Sequence, residues 1–227
     1  MVFDILRATS TFVTALQNGA GEIVPVSDIP EAVAWRKKNP LCLLAGERDG
    51  VRIGAALSGG TDFDFGNSPR EFTPERVRGK TLVSTTTNGT RALRAGAGAE
   101  CVLAAAFLNL AATAKFLIAN NFPTVLLVCA GTGEGVALED VLAAGALVAL
   151  LSARAGSTHL SDASLVALKT SAEIKTDLPT ALGGSRNGRR LLALPELRPD
   201  VAFCARRDIF ELVARMDATG ALRAVRE

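Results

Sequence analysis

Four polar segments that follow short apolar runs contain the side chains best suited to chemistry. They span 4–11, 46–49, 84–90 and 129–140. Each apolar run is typical of a β-strand, and strands that alternate with helices usually form a parallel sheet, which binds its ligands beyond the carboxyl ends of the strands. The ionisable side chains in these segments include Asp4, Glu47, Asp49, Glu139, Asp140, Arg7 and Arg48. We therefore expect these groups to face one common site.

Carboxylates that lack a histidine or cysteine partner favour a hard cation. Mg²⁺ takes oxygen ligands and commonly shares its coordination with the phosphate oxygens of a substrate. Arginine suits the bidentate binding of phosphate or sulfonate. Together these groups favour phosphoryl transfer, which depends on positioning and charge neutralisation. Structural alternatives stay open here, because Glu139 and Asp140 could complement a helix dipole and Arg7 could pair with Asp4.

The segment between a predicted strand at 81–83 and a predicted helix at 91–95 is rich in hydroxyl groups. It contains an amide, Asn88, and a glycine, Gly89, and no apolar side chain. A strand that turns into a helix in this way offers backbone N–H groups and a positive dipole end to an anion. The alternative is a Ser/Thr-rich turn in which Asn88 is an ordinary N-cap.

Composition narrows the class of protein. A net charge of +2 in 227 residues gives no reason to expect a nucleic-acid partner. The apolar runs are too short to span a bilayer, and no signal peptide precedes Asp4, so we expect a cytoplasmic protein without membrane partners. The four cysteines form no CxxC pattern and are expected to be reduced. The single histidine, His159, is expected at the surface.

Alternating apolar and amphipathic segments predict an α/β fold, with a mainly parallel sheet and helices on both faces in three layers. We expect one domain over 1–227, with a long binding or lid loop over 51–71. The predicted strands include Glu22–Val26, Leu41–Ala45, Cys101–Ala106, Pro123–Cys129, Val201–Cys204 and an edge strand at Leu222–Val225. The predicted helices include one capped by Thr9 or Ser10 and ending at Gln17, one opened by Ser27 or Asp28 with Pro30 and ending at Lys38, and one from Asn109 to Asn120 capped by Asn109. Two more are predicted from Ala137 to Arg154 and from Ser161 to Lys175.

Five segments, in order along the chain, resemble the 2-phosphosulfolactate phosphatase family, also called the ComB-like proteins. They are Asp4-Ile-Leu-Arg7-Ala-Thr-Ser-Thr11, Gly46-Glu47-Arg48-Asp-Gly50, Phe63-Asp64-Phe-Gly66-Asn67-Ser68-Pro69, Thr86-Thr87-Asn88-Gly89-Thr90, and Cys129-Ala-Gly131 leading to Leu138-Glu139-Asp140. A weaker sixth segment begins at Asp200. The resemblance implies a ComB-like α/β fold and a Mg²⁺-dependent hydrolysis of 2-phospho-3-sulfolactate to 3-sulfolactate and phosphate, a step toward coenzyme M.

On this basis we assign roles to individual residues as a hypothesis. Asp4 and Asp140 would hold Mg²⁺, with Glu139 or Glu47 as a further ligand, and Arg7 and Arg48 would bind the remaining negative charge of the substrate. The expected substrate-binding residues are Ser10, Thr11, Asn67, Ser68, Thr86, Thr87, Asn88, Gly89 and Thr90. Whether Asp4 attacks phosphorus directly stays open.

Two other functions fit the same residues. One is a phosphatase for another small phosphorylated hydroxy acid, and the other is a non-catalytic anion-binding protein. Family members usually have a longer lead into the first segment, so we expect that the natural start lies upstream of Met1. An Ala-rich helix at 141–151 could serve a homo-oligomer interface.

Overall fold

The computed structural model of the chain describes residues 1–153, 159–174 and 177–226 as a mixed α/β fold, which confirms the predicted class. The strands are β1 (Val2–Phe3), β2 (Glu22–Pro25), β3 (Leu43–Arg48), β4 (Val51–Arg52), β5 (Thr81–Thr85), β6 (Leu103–Ala105), β7 (Val128–Cys129), β8 (Val213–Met216) and β9 (Leu222–Val225). They form one sheet in the order β4-β3-β5-β2-β9-β8-β6-β1-β7.

The sheet consists of two parallel parts joined by an antiparallel hairpin. Strand β5 pairs in parallel with β2 and β3, and β1 pairs in parallel with β6 and β7. The hairpin of β8 and β9 lies between these parts, and every ladder from β2 through β9 and β8 to β6 is antiparallel. Three successive antiparallel pairings separate the two parts, so β1 runs in the direction opposite to β5.

Sheet twist gives a reason why the carboxyl ends of both parts can still reach one site. Five steps along the sheet separate β5 from β1. A twist of about 20–25° per step rotates the two strands by about 100–125° relative to each other. The end of β1 and the loop after β5 do meet, because a Cβ atom built on Gly89 would lie 2.7 Å from Asp4 Oδ2.

The helices cover the sheet and give the fold its three layers. They are α1 (Ala8–Gln17), α2 (Ile29–Lys38), α3 (Ala55–Ser58), α4 (Pro74–Val77), α5 (Gly89–Ala95), α6 (Leu110–Asn120), α7 (Leu138–Ser152), α8 (Asp162–Glu173), α9 (Leu178–Gly184), α10 (Arg186–Leu192) and α11 (Arg198–Cys204). Helix α2 starts as its sequence predicts, since the Asp28 side chain accepts a hydrogen bond from Glu31 N at 2.8 Å. The predicted helix ends at Arg154 and Lys175 lie outside the described residues.

Several local predictions were wrong. Val201–Cys204 belongs to helix α11, which has a proline in its first turn. Leu222–Val225 is a central strand, and Leu222 is fully buried. Thr9 and Ser10 lie inside helix α1, whose N-cap position is Arg7. The Asn109 side chain accepts a hydrogen bond from Ala106 N before a short 3₁₀ turn and does not cap α6.

The core fixes the position of the first polar segment. Strand β1 has only two residues, Val2 and Phe3, and both are buried between β6 and β7. Helix α1 then buries nearly its whole length against the sheet and against α5. The turn between β1 and α1, which contains Asp4 and Arg7, is therefore held rigidly from both sides.

Candidate functional site

A cavity of about 210 Å³ opens where the ends of β1, β3 and β5 meet helix α10. Its lining residues are Asp4, Leu6, Arg7, Glu47, Asp49, Gly50, Asn67, Thr87, Asn88, Thr132, Gly133, Arg186, Asn187, Arg190 and Leu191. Most of these residues are polar or charged. The cavity is smaller than the roughly 300–1,000 Å³ of pockets for drug-sized ligands, so it suits a small polar molecule.

Asp4 lies at the floor of this cavity, and Asp140 is buried beside it. Asp140 Oδ1 accepts a hydrogen bond from Ile5 N at 2.8 Å, and its Oδ2 accepts one from Gly131 N at 3.1 Å. Asp4 Oδ1 accepts one from Ala8 N at 3.1 Å. Asp140 thus joins the chain after β1 to the chain after β7, and this contact places the two carboxylates side by side.

Burial and mutual repulsion disfavour the charged forms of both carboxylates. The pKa of Asp4 is raised to about 6, chiefly by burial and further by the charges of Glu47 and Glu139. The pKa of Asp140 is also raised well above its ordinary value, by burial first and then by the charges of Asp4 and Glu139. Acidic groups held together at this energetic cost are typical of functional sites.

Glu47 lines the same cavity, and Glu139 is buried close enough to Asp4 and Asp140 for its charge to raise the pKa of both. Glu47 Oε1 accepts hydrogen bonds from Thr87 N and Oγ1, both at 3.0 Å, and its Oε2 accepts one from Gly50 N at 2.8 Å. Glu139 is 1% exposed, and its Oε1 accepts a hydrogen bond from Asn187 Nδ2 at 2.6 Å. Its Oε2 is buried and has no partner among the described residues.

These oxygen donors fit a hard divalent cation. Within the described part of the chain, no group of three or more His, Cys, Asp or Glu side chains is arranged so that it could hold a metal ion by itself. Mg²⁺ does not require such a group, because it usually binds one or two carboxylates and keeps several waters. The unpartnered Glu139 Oε2 and the raised pKa of Asp4 are both features that a bound cation would relieve.

The two arginines of the sequence prediction occupy different places. Arg7 lines the cavity and donates from Nη1 to Asp200 Oδ2 at 2.8 Å and from Nη2 to Gly50 O at 2.7 Å. Arg48 does not line it, because its guanidinium group donates to Glu47 O and to Thr85 Oγ1. The structure therefore brings Arg7, and not Arg48, to the carboxylates.

The predicted substrate-binding residues also fall into two groups. Thr87, Asn88 and Asn67 line the cavity, and Gly89 lies against Asp4. The hydroxyls of the other predicted binding residues make hydrogen bonds within the protein, and these residues do not line the cavity. Ser10 Oγ donates to Ile5 O, Thr11 Oγ1 to Asn67 O, Ser68 Oγ to Asp200 Oδ1, and Thr90 Oγ1 to Thr86 O, while Thr86 Oγ1 accepts a hydrogen bond from Thr90 N. These internal hydrogen bonds stabilise the loops that form the site.

Sequence reasoning missed the contributions of α10 and α11. Arg186, Asn187 and Arg190 of α10 line the cavity, and Asp200 of α11 is fully buried beneath Arg7. The polar run that begins at Arg186 was visible in the sequence, but nothing local connects it to residues more than a hundred positions upstream. The charge and burial of Asp200 could not be read from its neighbours, because its partners lie in other elements.

Comparisons with known proteins show which family the whole chain resembles. A family model described as 2-phosphosulpholactate phosphatase matches residues 1–219. A probable 2-phosphosulfolactate phosphatase of Caldanaerobacter subterraneus subsp. tengcongensis is 40% identical over 222 residues, which cover 95% of this chain and 86% of that protein. Proteins with the same description from Thermotoga petrophila and Synechococcus sp. are 39% and 37% identical, over 94% and 98% of this chain and 86% and 90% of their own lengths.

Proposed function

The chain belongs to the 2-phosphosulpholactate phosphatase family, and from this premise we propose that it hydrolyses 2-phospho-3-sulfolactate to 3-sulfolactate and phosphate. The reaction is a phosphoric monoester hydrolysis, and its product would lead toward coenzyme M. One observation supports the proposal most directly: Asp4 and Arg7 after β1, Glu47 of β3 and the arginines of α10 come from distant elements and converge on one small polar cavity.

The charge and size of the cavity suit such a substrate. 2-Phospho-3-sulfolactate is a three-carbon acid that carries a phosphate, a carboxylate and a sulfonate. The cavity of about 210 Å³ is of a size that suits a small ester of this kind. Arg7 and the side-chain amide of Asn88 can position the phosphoryl oxygens, and Asp200 holds the Arg7 guanidinium group in a fixed orientation.

We further propose that Mg²⁺ binds at the floor of the cavity. Asp4, Glu47 and Glu139 would hold the ion directly or through water, and Asp140 would add negative charge while its two oxygens accept backbone N–H groups. When bound, the ion would neutralise charge on the phosphoryl group during transfer. Arg7 would bind the charge that the ion does not reach.

Release of inorganic phosphate tests the proposal. The wild-type protein is incubated with 2-phospho-3-sulfolactate, 2-phospholactate and p-nitrophenyl phosphate, with Mg²⁺ or with EDTA. We expect Mg²⁺-dependent release that is fastest with the sulfonated ester. A preference for an ester without the sulfonate would assign a different hydroxy acid, and tight binding without any release would indicate an anion-binding protein.

Two variants test the assigned residues. Asp140→Ala is expected to abolish Mg²⁺-dependent turnover, while Asp162→Asn, which removes an exposed carboxylate in the first turn of α8, serves as the matched control. Unchanged turnover in Asp140→Ala would remove this residue from the site. A phosphoenzyme that is trapped in the wild type and lost in Asp4→Asn would assign covalent catalysis to Asp4.

A further inference from the structure

Helix α10 contributes two further arginines to the lining of the cavity. Arg186 and Arg190 both line the cavity, one helical turn apart. Arg190 reaches the same point as Arg7, because a Cβ atom built on Gly50 would lie 3.8 Å from Arg190 Nε and 3.9 Å from Arg7 Nη2. Three guanidinium groups therefore surround one side of a cavity of about 210 Å³.

These three arginines differ in how firmly their charge is already paired. Arg7 is buried against fully buried Asp200 at 2.8 Å, so its partner is part of the core. Arg190 pairs at 3.0 Å with Asp49, whose side chain is 97% exposed. Arg186 forms no ion pair with any described residue. Exposed ion pairs contribute little free energy, so an incoming anion can replace Asp49 at small cost.

We propose that Arg186 and Arg190 form a subsite for the second anionic group of the substrate, a sulfonate or a carboxylate on the carbon chain. This inference rests on the proposed phosphatase function, in which the phosphoryl group occupies the carboxylate floor. Arginine suits both oxyanions because its planar fork offers two parallel donors. The subsite makes the enzyme selective for esters that carry a further negative charge, and Asn187 connects the subsite to Glu139 through its 2.6 Å hydrogen bond.

The experiment compares three esters in four proteins. The esters are 2-phospho-3-sulfolactate, 2-phospholactate, which lacks the sulfonate, and p-nitrophenyl phosphate, which lacks both acidic groups. The proteins are the wild type, Arg186→Gln, Arg190→Gln and Arg189→Gln. Arg189 is the matched control because it lies on the same helix, donates to Gly184 O and does not line the cavity.

We expect kcat/KM for 2-phospho-3-sulfolactate to fall about 10–100-fold in Arg186→Gln and Arg190→Gln, mainly through KM, since each loses a charge-assisted hydrogen bond. The loss with p-nitrophenyl phosphate should be at least tenfold smaller. Arg189→Gln should match the wild type on all three esters. If the sulfonated ester and 2-phospholactate lose activity equally, the subsite holds the carboxylate, and if only the sulfonated ester does, it holds the sulfonate.

Equal losses on all three esters, or no loss on any, would overturn the subsite. A wild type that hydrolyses none of the esters would instead refute the phosphatase function, so the two failures are distinct. Asp49→Asn provides a readout of opposite sign, because it frees Arg190 and removes a competing carboxylate. It should lower KM for 2-phospho-3-sulfolactate, and a raised KM would contradict the proposed subsite.

Discussion

Replacing Glu139 with glutamine should stabilise the metal-free protein and weaken its response to Mg²⁺. The substitution keeps the size of the side chain and keeps Oε1, which accepts the hydrogen bond from Asn187 at 2.6 Å. It replaces the buried Oε2, which has no partner among the described residues, with an amide group. It also removes a negative charge that disfavours ionisation of Asp4 and Asp140.

The size of the effect follows from the pKa of Asp4. A rise from 3.8 to about 6 corresponds to about 3 kcal/mol at neutral pH. Burial is the largest cause, and the repulsions from Glu47 and Glu139 are smaller ones, so removing the charge of Glu139 recovers only part of this. A single charge–charge interaction at close range is worth on the order of 1 kcal/mol. In a chain of this size, 1 kcal/mol shifts the melting temperature by about 2–4 °C.

Thermal unfolding in EDTA measures the stability of the metal-free protein, and unfolding in Mg²⁺ measures the stability that the ion adds. We expect Glu139→Gln to melt about 2–4 °C above the wild type in EDTA and to gain less from added Mg²⁺. Glu134→Gln, at an exposed position in the loop before α7, is the control and should melt with the wild type. A lower melting temperature in EDTA, or an undiminished response to Mg²⁺, would refute the account of the carboxylate cluster.

Three other substitutions test the surrounding structure. In EDTA, the free energy of unfolding of Asp4→Asn should exceed that of the wild type by an amount that grows as the pH rises from about 4 to about 6. The folded pKa of Asp4 lies above its ordinary value, so the wild type loses stability as the pH rises through that window. A difference that does not depend on pH in chemical unfolding would contradict this. Gly89→Ala should cost about 1–3 kcal/mol and reduce turnover, because the new Cβ would lie 2.5 Å from Ala8 Cβ and 2.7 Å from Asp4 Oδ2. Gly98→Ala, where a Cβ meets open space, is its control in the same unfolding assay. Asp200→Ala should lower the free energy of unfolding by about 3–5 kcal/mol, because it leaves the buried Arg7 without its carboxylate partner. A decrease below about 1 kcal/mol by urea titration would show that this pair does not hold Arg7.

The sequence predicted best where a feature is local. Helix α2 follows from Asp28 and Pro30, and the acidic first turn of α7 follows from Glu139 and Asp140. The exposure of His159 is confirmed as well. No helix among the described residues is both long and apolar enough to cross a membrane. Each of these features depends on residues within one or two turns of the chain.

The sequence was least informative where partners are far apart. Val201 looked like part of a strand because its neighbours are apolar, but the turn of α11 places Asp200 under Arg7, 193 positions away in the chain. Arg48 looked like a substrate-binding group because it follows the predicted strand Leu41–Ala45, yet it is the last residue of β3 and its guanidinium group donates to Thr85 of the adjacent strand. Donor and acceptor types are visible in a sequence, while the choice among available partners depends on packing.

By itself, the sequence determined the α/β class, the family and the acidic and basic residue types that could handle a phosphate ester. Only the tertiary structure decided that β1 runs opposite to β5, that the β8–β9 hairpin separates the two parallel parts, and that α10 supplies two arginines to the cavity. The physical reason is that periodicity and capping act over a few residues, whereas strand order and the pairing of buried charges are set by long-range burial. The floor of the cavity exists because Asp140 joins the ends of β1 and β7 through two backbone N–H groups, a contact that spans 135 positions of the chain.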